Sequence, residues 1–181
     1  MKPQVTVIGG GMITRIQLLP TMYHLQREGV LGDIHICALN SPPLKELQDD
    51  PTLKQAFPGN GFTPHPDPAK VKPTEVFPDL YKDVLKAAPA DSIALIAVPD
   101  QFHYPCVMAA LDANLHCCVV KPLVLTHKQA EEIGHKARAK GLLVGVEYHK
   151  RFDTRSLMAR QAYRAGRFGE FRLGQAHLHE C

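Results

Sequence analysis

The stretch Val5-Thr6-Val7-Ile8-Gly9-Gly10-Gly11-Met12-Ile13-Thr14-Arg15 decides how the rest of the chain is read. Four β-branched residues end in three glycines, and an amphipathic segment follows at once. That order predicts a strand, a tight turn and a helix. Glycines at such a turn can take positive φ and let backbone approach a ligand closely. The start of the helix offers unpaired N–H groups and the positive end of its dipole, which suits a pyrophosphate. The pattern is Gly9-x-Gly11-x-x-Thr14, so two glycines of the dinucleotide fingerprint are present and the third is a threonine. The third glycine normally lets helix and strand pack closely, so Thr14 calls for a small shift. By itself the loop also fits a plain tight turn.

Outward from this turn, strands and helices alternate. Ile16, Leu19, Tyr23 and Leu18, Met22, Leu25 recur at helical spacing, and Gly29 stops that helix. Residues 33–39 predict a second strand, with Ile34, Ile36 and Ala38 on one face. Pro43 opens a helix through Leu44 and Leu47, extending towards Leu53 and Ala56. Residues 57–78 carry six prolines among glycines and predict a long loop, with a short strand at residues 75–77. Helix (80–88), strand (92–98), helix (102–113), strand (115–120), helix (126–140) and strand (142–147) follow, Thr126 serving as a cap and Gly141 as a stop. This alternation predicts right-handed βαβ units and a doubly wound parallel α/β sheet of about six strands, a Rossmann fold. A last helix (154–165) and an alternating segment (168–178) stand apart. They divide the chain into 1–150, a nucleotide-binding domain, and 151–181, a connecting helix with a strand that either adds to the sheet's edge or begins an incomplete second α/β domain.

Composition narrows the function classes. The 181 residues are 45% hydrophobic and 22% charged, as in ordinary globular chains. A net charge of +3, without a long basic run, argues against nucleic acid or an anionic membrane as partner. The longest apolar run, Ile93 to Pro99, is too short to span a bilayer, and no signal-peptide pattern precedes it. Five cysteines without a C-x-x-C pair read as reduced thiols in a cytoplasmic protein. His177 and His179 share a strand face, but no further ligand cluster accompanies them, so no metal site is predicted.

Three strand ends hold the candidate chemistry. The second strand ends Ala38-Leu39-Asn40-Ser41 and lacks the carboxylate that usually grips the adenosine ribose. Asn40 and Ser41 can still bond a ribose or a 2′-phosphate, with Lys45 and Arg15 as nearby cations. The missing carboxylate tilts the cofactor slightly from NAD towards NADP, and a plain strand end stands beside that reading. Next, Val98-Pro99-Asp100-Gln101-Phe102-His103 places polar groups where open α/β sheets bind ligands, although Asp100 could equally serve as a helix cap. Finally, Lys121 directly follows an apolar strand, at a rim where desolvation would favour its neutral form for proton transfer. A solvated lysine is the plainer alternative.

Taken together, these motifs resemble the glucose–fructose oxidoreductase, inositol dehydrogenase and rhizopine-catabolism (Gfo/Idh/MocA) family. That family carries a glycine loop, a tP-N-x-x-H segment, a G-K-H-V-x-x-E-K-P strand end and a later R-F. The counterparts here are Val98 to His103, Asn114 to Leu123, and Tyr148-His149-Lys150-Arg151-Phe152-Asp153. The resemblance implies hydride transfer between NAD or NADP and a secondary alcohol or carbonyl, such as that of a sugar or cyclitol. It implies that Lys121 assists proton movement beside the nicotinamide. Gly9, Gly11, Met12 and Ile13 would hold the pyrophosphate, and Asn40 would face the ribose. Val98, Pro99, Asp100 and His103 would line the nicotinamide side, with Arg151 and Phe152 closing the crevice. The family's second domain supplies a catalytic histidine, the substrate wall and a homo-oligomer interface. Val120 stands where the family has a glutamate, and Ala38 where it has the ribose acid. These departures leave a second reading open, a non-catalytic dinucleotide-binding or sensing module.

Overall fold

The computed structural model of the chain describes residues 2–175 and 177, which fall in two units, Met1–Glu147 and Tyr148–Cys181. In the first unit, β1 (Val5–Ile8), β2 (Ile34–Cys37), β3 (Thr63–His65), β4 (Ile93–Ile96), β5 (His116–Val120) and β6 (Val144–Glu147) form one sheet in the order β3-β2-β1-β4-β5-β6. Every pairing is parallel. Chain order runs outward in both directions from β1 and β4, as the doubly wound reading predicts.

Strand alternation sorts the apolar side chains onto two faces. Val5, Val7, Ile34 and Ile36 pack against helices α1 (Leu19–Arg27), α2 (Pro42–Asp49) and α3 (Pro51–Ala56) through Leu19, Leu44, Leu47 and Leu53. Ile8, Ala94, Ile96, Cys117 and Val119 pack on the other face against α4 (Leu80–Ala87), α5 (His103–Asp112) and α6 (His127–Lys140). Leu19, Leu44 and Leu111 are fully buried, and such burial stabilises by about 1.5–3 kcal/mol per side chain. Thr126 caps α6 by accepting the Gln129 amide, and Gly141 ends it at φ +67°.

Four details differ from the sequence expectation. The first helix begins with a π-helical turn, Thr14–Leu18. Pro20 has no N–H for the Ile16 carbonyl and its ring crowds that group, so the helix widens directly ahead of it. Thr14 is fully buried there and donates its hydroxyl to the Gly9 carbonyl at 2.6 Å. Second, the helix from Pro42 is interrupted at Asp50-Pro51. Asp50 leaves helical geometry and accepts from the amides of Thr52 and Leu53 to start α3. Third, the extra strand is Thr63–His65 and not residues 75–77. β3 is an edge strand, where the missing N–H of Pro64 is tolerated, and the His35 and His65 rings stack across it 5.2 Å apart.

The second unit holds a 3₁₀ turn, His149–Arg151, and α7 (Thr154–Arg164), capped by Asp153 accepting the Ser156 amide. The expected strand at 168–178 is the fourth difference: its described residues, 168–175 and 177, form no strand. Alternation alone does not make a strand when no partner supplies the ladder bonds. His179, the other half of the weighed histidine pair, lies outside the described residues, and no cluster of three metal-ligating side chains occurs among them. No helix among the described residues is long and apolar enough to cross a membrane.

Asp50 is the tie between the glycine-loop helix and α3. Its carboxylate meets Arg15 Nε at 2.6 Å as well as the two amides. The Leu53 amide first, then Arg15, holds its pKa below the usual carboxylate value. A depressed native pKa adds stability above the unfolded value of about 3.9 and loses it as pH falls through the native one. Asp50→Asn is therefore less stable than the parent at pH 7 in urea denaturation. The gap closes as pH drops below about 4.

Candidate functional site

A cleft of about 690 Å³ opens at the carboxyl ends of β1, β2 and β4, where strand order reverses. Gly9 and Gly11 line its middle. Gly9 has φ +115°, and a Cβ there would stand 2.1 Å from the Ala97 carbonyl oxygen, so only glycine fits. Around Gly11 nothing lies within 4 Å of a Cβ position, which leaves its backbone open to a ligand. Arg15 N–H donates to Gly11 O, so Met12 and Ile13 sit in the first helical turn, whose amides have no intrahelical acceptor. Their side chains do not line the cleft: Met12 points to solvent and Ile13 packs against the core. The open glycine backbone and these free amides fit a pyrophosphate.

One end of the cleft is formed by Val98 and Pro99 beyond β4, the other by Leu39 and Asn40 beyond β2. Cys37 and Cys106 contribute its apolar floor. Burial pushes their thiols up to about 12 and about 11 respectively, so both stay protonated and unreactive at neutral pH.

His103 does not line the cleft as expected. It is fully buried, with Nε2 2.8 Å from Val98 O and Nδ1 2.7 Å from Pro122 O. Carbonyls only accept, so the ring bonds both when both nitrogens carry hydrogen. His103 thereby fastens the end of β4 to the segment after β5. Its place was legible in helical spacing, since His103, Cys106, Val107 and Ala110 all lie on the buried face of α5. Asp100 sits exposed in a 3₁₀ turn, Asp100–Phe102, and its side chain makes no capping bond, contrary to that alternative. Lys121 follows β5 and is exposed, not desolvated. Arg151 belongs to the second unit, 5.7 Å over the Tyr148 ring.

The cations expected near the ribose are engaged elsewhere. Arg15 is paired with Asp50, and Lys45 with Asp49 at 2.7 Å. Sequence reasoning missed Asp79 and Lys82, which line the cleft and pair at 2.6 Å. No local pattern marks them. They reach the cleft because Phe77 N–H donates to Leu39 O at 2.8 Å, drawing the start of α4 beside the end of β2.

Comparison with known proteins agrees with this arrangement. Residues 4–148 match the model of an oxidoreductase family with an NAD-binding Rossmann fold, the Gfo/Idh/MocA family. The chain belongs to that family. An uncharacterized oxidoreductase of Schizosaccharomyces pombe is 32% identical over 96 residues, 53% of this chain and 26% of that protein. D-glucoside 3-dehydrogenase of Escherichia coli is 30% identical over 90 residues, 49% of this chain and 26% of that protein. The matched stretch thus spans about a quarter of these curated relatives. The crystal structure of myo-inositol 2-dehydrogenase from Lactobacillus plantarum superposes with a TM-score of 0.67 at 19% identity, covering 94% of this chain and 43% of that one.

Removing the fully buried His103 ring takes away its contacts with the Val98 and Pro122 carbonyls and leaves a cavity in its place. His103→Ala should lose about 2–5 kcal/mol in chemical denaturation.

Proposed function

We propose that the protein carrying this chain transfers a hydride between a nicotinamide dinucleotide, NADP in preference to NAD, and a secondary alcohol or carbonyl of a sugar or cyclitol. The observation that carries this is the cleft at the strand-order reversal, with Gly9 and Gly11 at its middle and Asn40 and Pro99 towards its ends. Within it, the backbone at Gly9, Gly11, Met12 and Ile13 holds the pyrophosphate. Asn40 bonds the adenosine ribose, while Val98 and Pro99 flank the nicotinamide, with Asp100 at that rim. Lacking a carboxylate directly after β2, that strand end does not itself repel a 2′-phosphate. The bound nicotinamide supplies hydride acceptance or donation. Lys121, directly after the strand that pairs with β4, moves the proton at the reacting oxygen.

Glucoside and inositol dehydrogenases among the similar proteins support a polyhydroxylated ring as substrate. Val120 and Ala38, where the family has carboxylates, favour the alternative of a binding or sensing module. Turnover by the parent decides between them, and the Lys121→Ala variant tests the part played by the lysine. In the protein carrying this chain, turnover falls by about 10²–10⁴-fold while the cofactor dissociation constant stays within about threefold. Unchanged turnover would remove Lys121 from the chemistry, and absence of turnover in the parent would leave the binding module.

A further inference from the structure

A dinucleotide whose pyrophosphate rests on the β1 glycine loop places its adenosine ribose beyond the end of β2. In this chain Leu39 and Asn40 line the cleft there, and Asp79 and Lys82 belong to the same lining. The bond from Phe77 N–H to Leu39 O joins the two segments. Of the three cations near this end, Arg15 is committed to Asp50, which is buried and also caps α3. Lys45 pairs with Asp49 at the surface, and neither Arg15 nor Lys45 lines the cleft. The first turn of α2 contributes little to an anion, because Pro42 and Pro43 have no N–H.

We infer that Lys82 is the contact for the adenosine 2′-phosphate, and that the Asp79–Lys82 pair sets the choice of NADP over NAD. The inference rests on the dinucleotide reading above and adds to it the residue that discriminates the two cofactors. Lys82 stays cationic, since hydrogen bonding to Asp79 raises its pKa. Its pairing with Asp79 is solvent-exposed, with side chains 47% and 73% accessible, and exposed pairs are weakly held. A phosphate with close to two negative charges therefore displaces the carboxylate from Lys82. A ribose hydroxyl does not, so the unmodified ribose of NAD gains nothing from this lysine.

Fluorescence titration of the chain with NADPH and NADH tests this without any need for turnover. The parent binds NADPH more tightly. Lys82→Ala weakens NADPH about tenfold and leaves NADH within about twofold, while Lys82→Arg retains the preference. Asp79→Asn frees the lysine and tightens NADPH. The inference is overturned if the parent prefers NADH, if Lys82→Ala leaves the ratio of the two affinities unchanged, or if Asp79→Asn weakens NADH. The last result would mean that Asp79 grips the ribose hydroxyls. If the parent binds neither dinucleotide, the dinucleotide reading fails and this inference falls with it.

Discussion

The molecule turns on the close approach of Gly9 to Ala97. Gly9 N–H donates to Cys37 O on the β2 side, and the Ala97 amide donates to Ile8 O on the β4 side. The β1 ladder is thus satisfied on both flanks up to the last residue before the chain turns away. A side chain at Gly9 would strike the Ala97 carbonyl. That single steric constraint keeps the ends of β1 and β4 together at the point where strand order reverses. It also leaves the next residues, Gly10 and Gly11, to form the open middle of the cleft. Thr14 reinforces the turn by donating to the carbonyl of Gly9 itself.

Two further ties shape the ends of the cleft, and each joins segments distant in sequence. His103 bonds the carbonyls of Val98 and Pro122, so the β4 end that lines the cleft and the segment carrying Lys121 are held by one ring. Phe77 does the equivalent work at the opposite end by bonding Leu39. The walls between are apolar or neutral, since the cleft thiols remain protonated. Charge enters the cleft through Asp79 and Lys82, beyond β2.

Much of the fold was legible because its signals are local. A β-branched run marks β1, short apolar stretches mark β4 to β6, and helical spacing with Gly29 or Gly141 marks where α1 and α6 stop. β3 escaped because Pro64 argues against a strand unless the strand is known to lie at an edge, and edge position is a property of the whole sheet. The π turn escaped for a similar reason: Thr14 and Pro20 each perturb a helix mildly, and only their combination ahead of a packed face widens it. Of the residues expected to form the site, Gly9, Gly11, Asn40, Val98 and Pro99 line the cleft together. His103 lies off the cleft lining: a polar residue after a strand end resembles a ligand contact, but its spacing with Cys106, Val107 and Ala110 places it in the core. Asp79 and Lys82 had no sequence signature, since a single long-range backbone bond brings them in.

The central claim is that the cleft at the strand-order reversal holds a nicotinamide dinucleotide. Its most direct test is amide chemical-shift mapping of the isotope-labelled chain during titration with NADPH. A dinucleotide in this cleft gives saturable shifts concentrated at Gly9, Gly11, Met12, Asn40 and Val98. Shifts clustered elsewhere, for example around Tyr23, Leu53 and Phe62 where a second, smaller pocket lies, would contradict it, as would none at all.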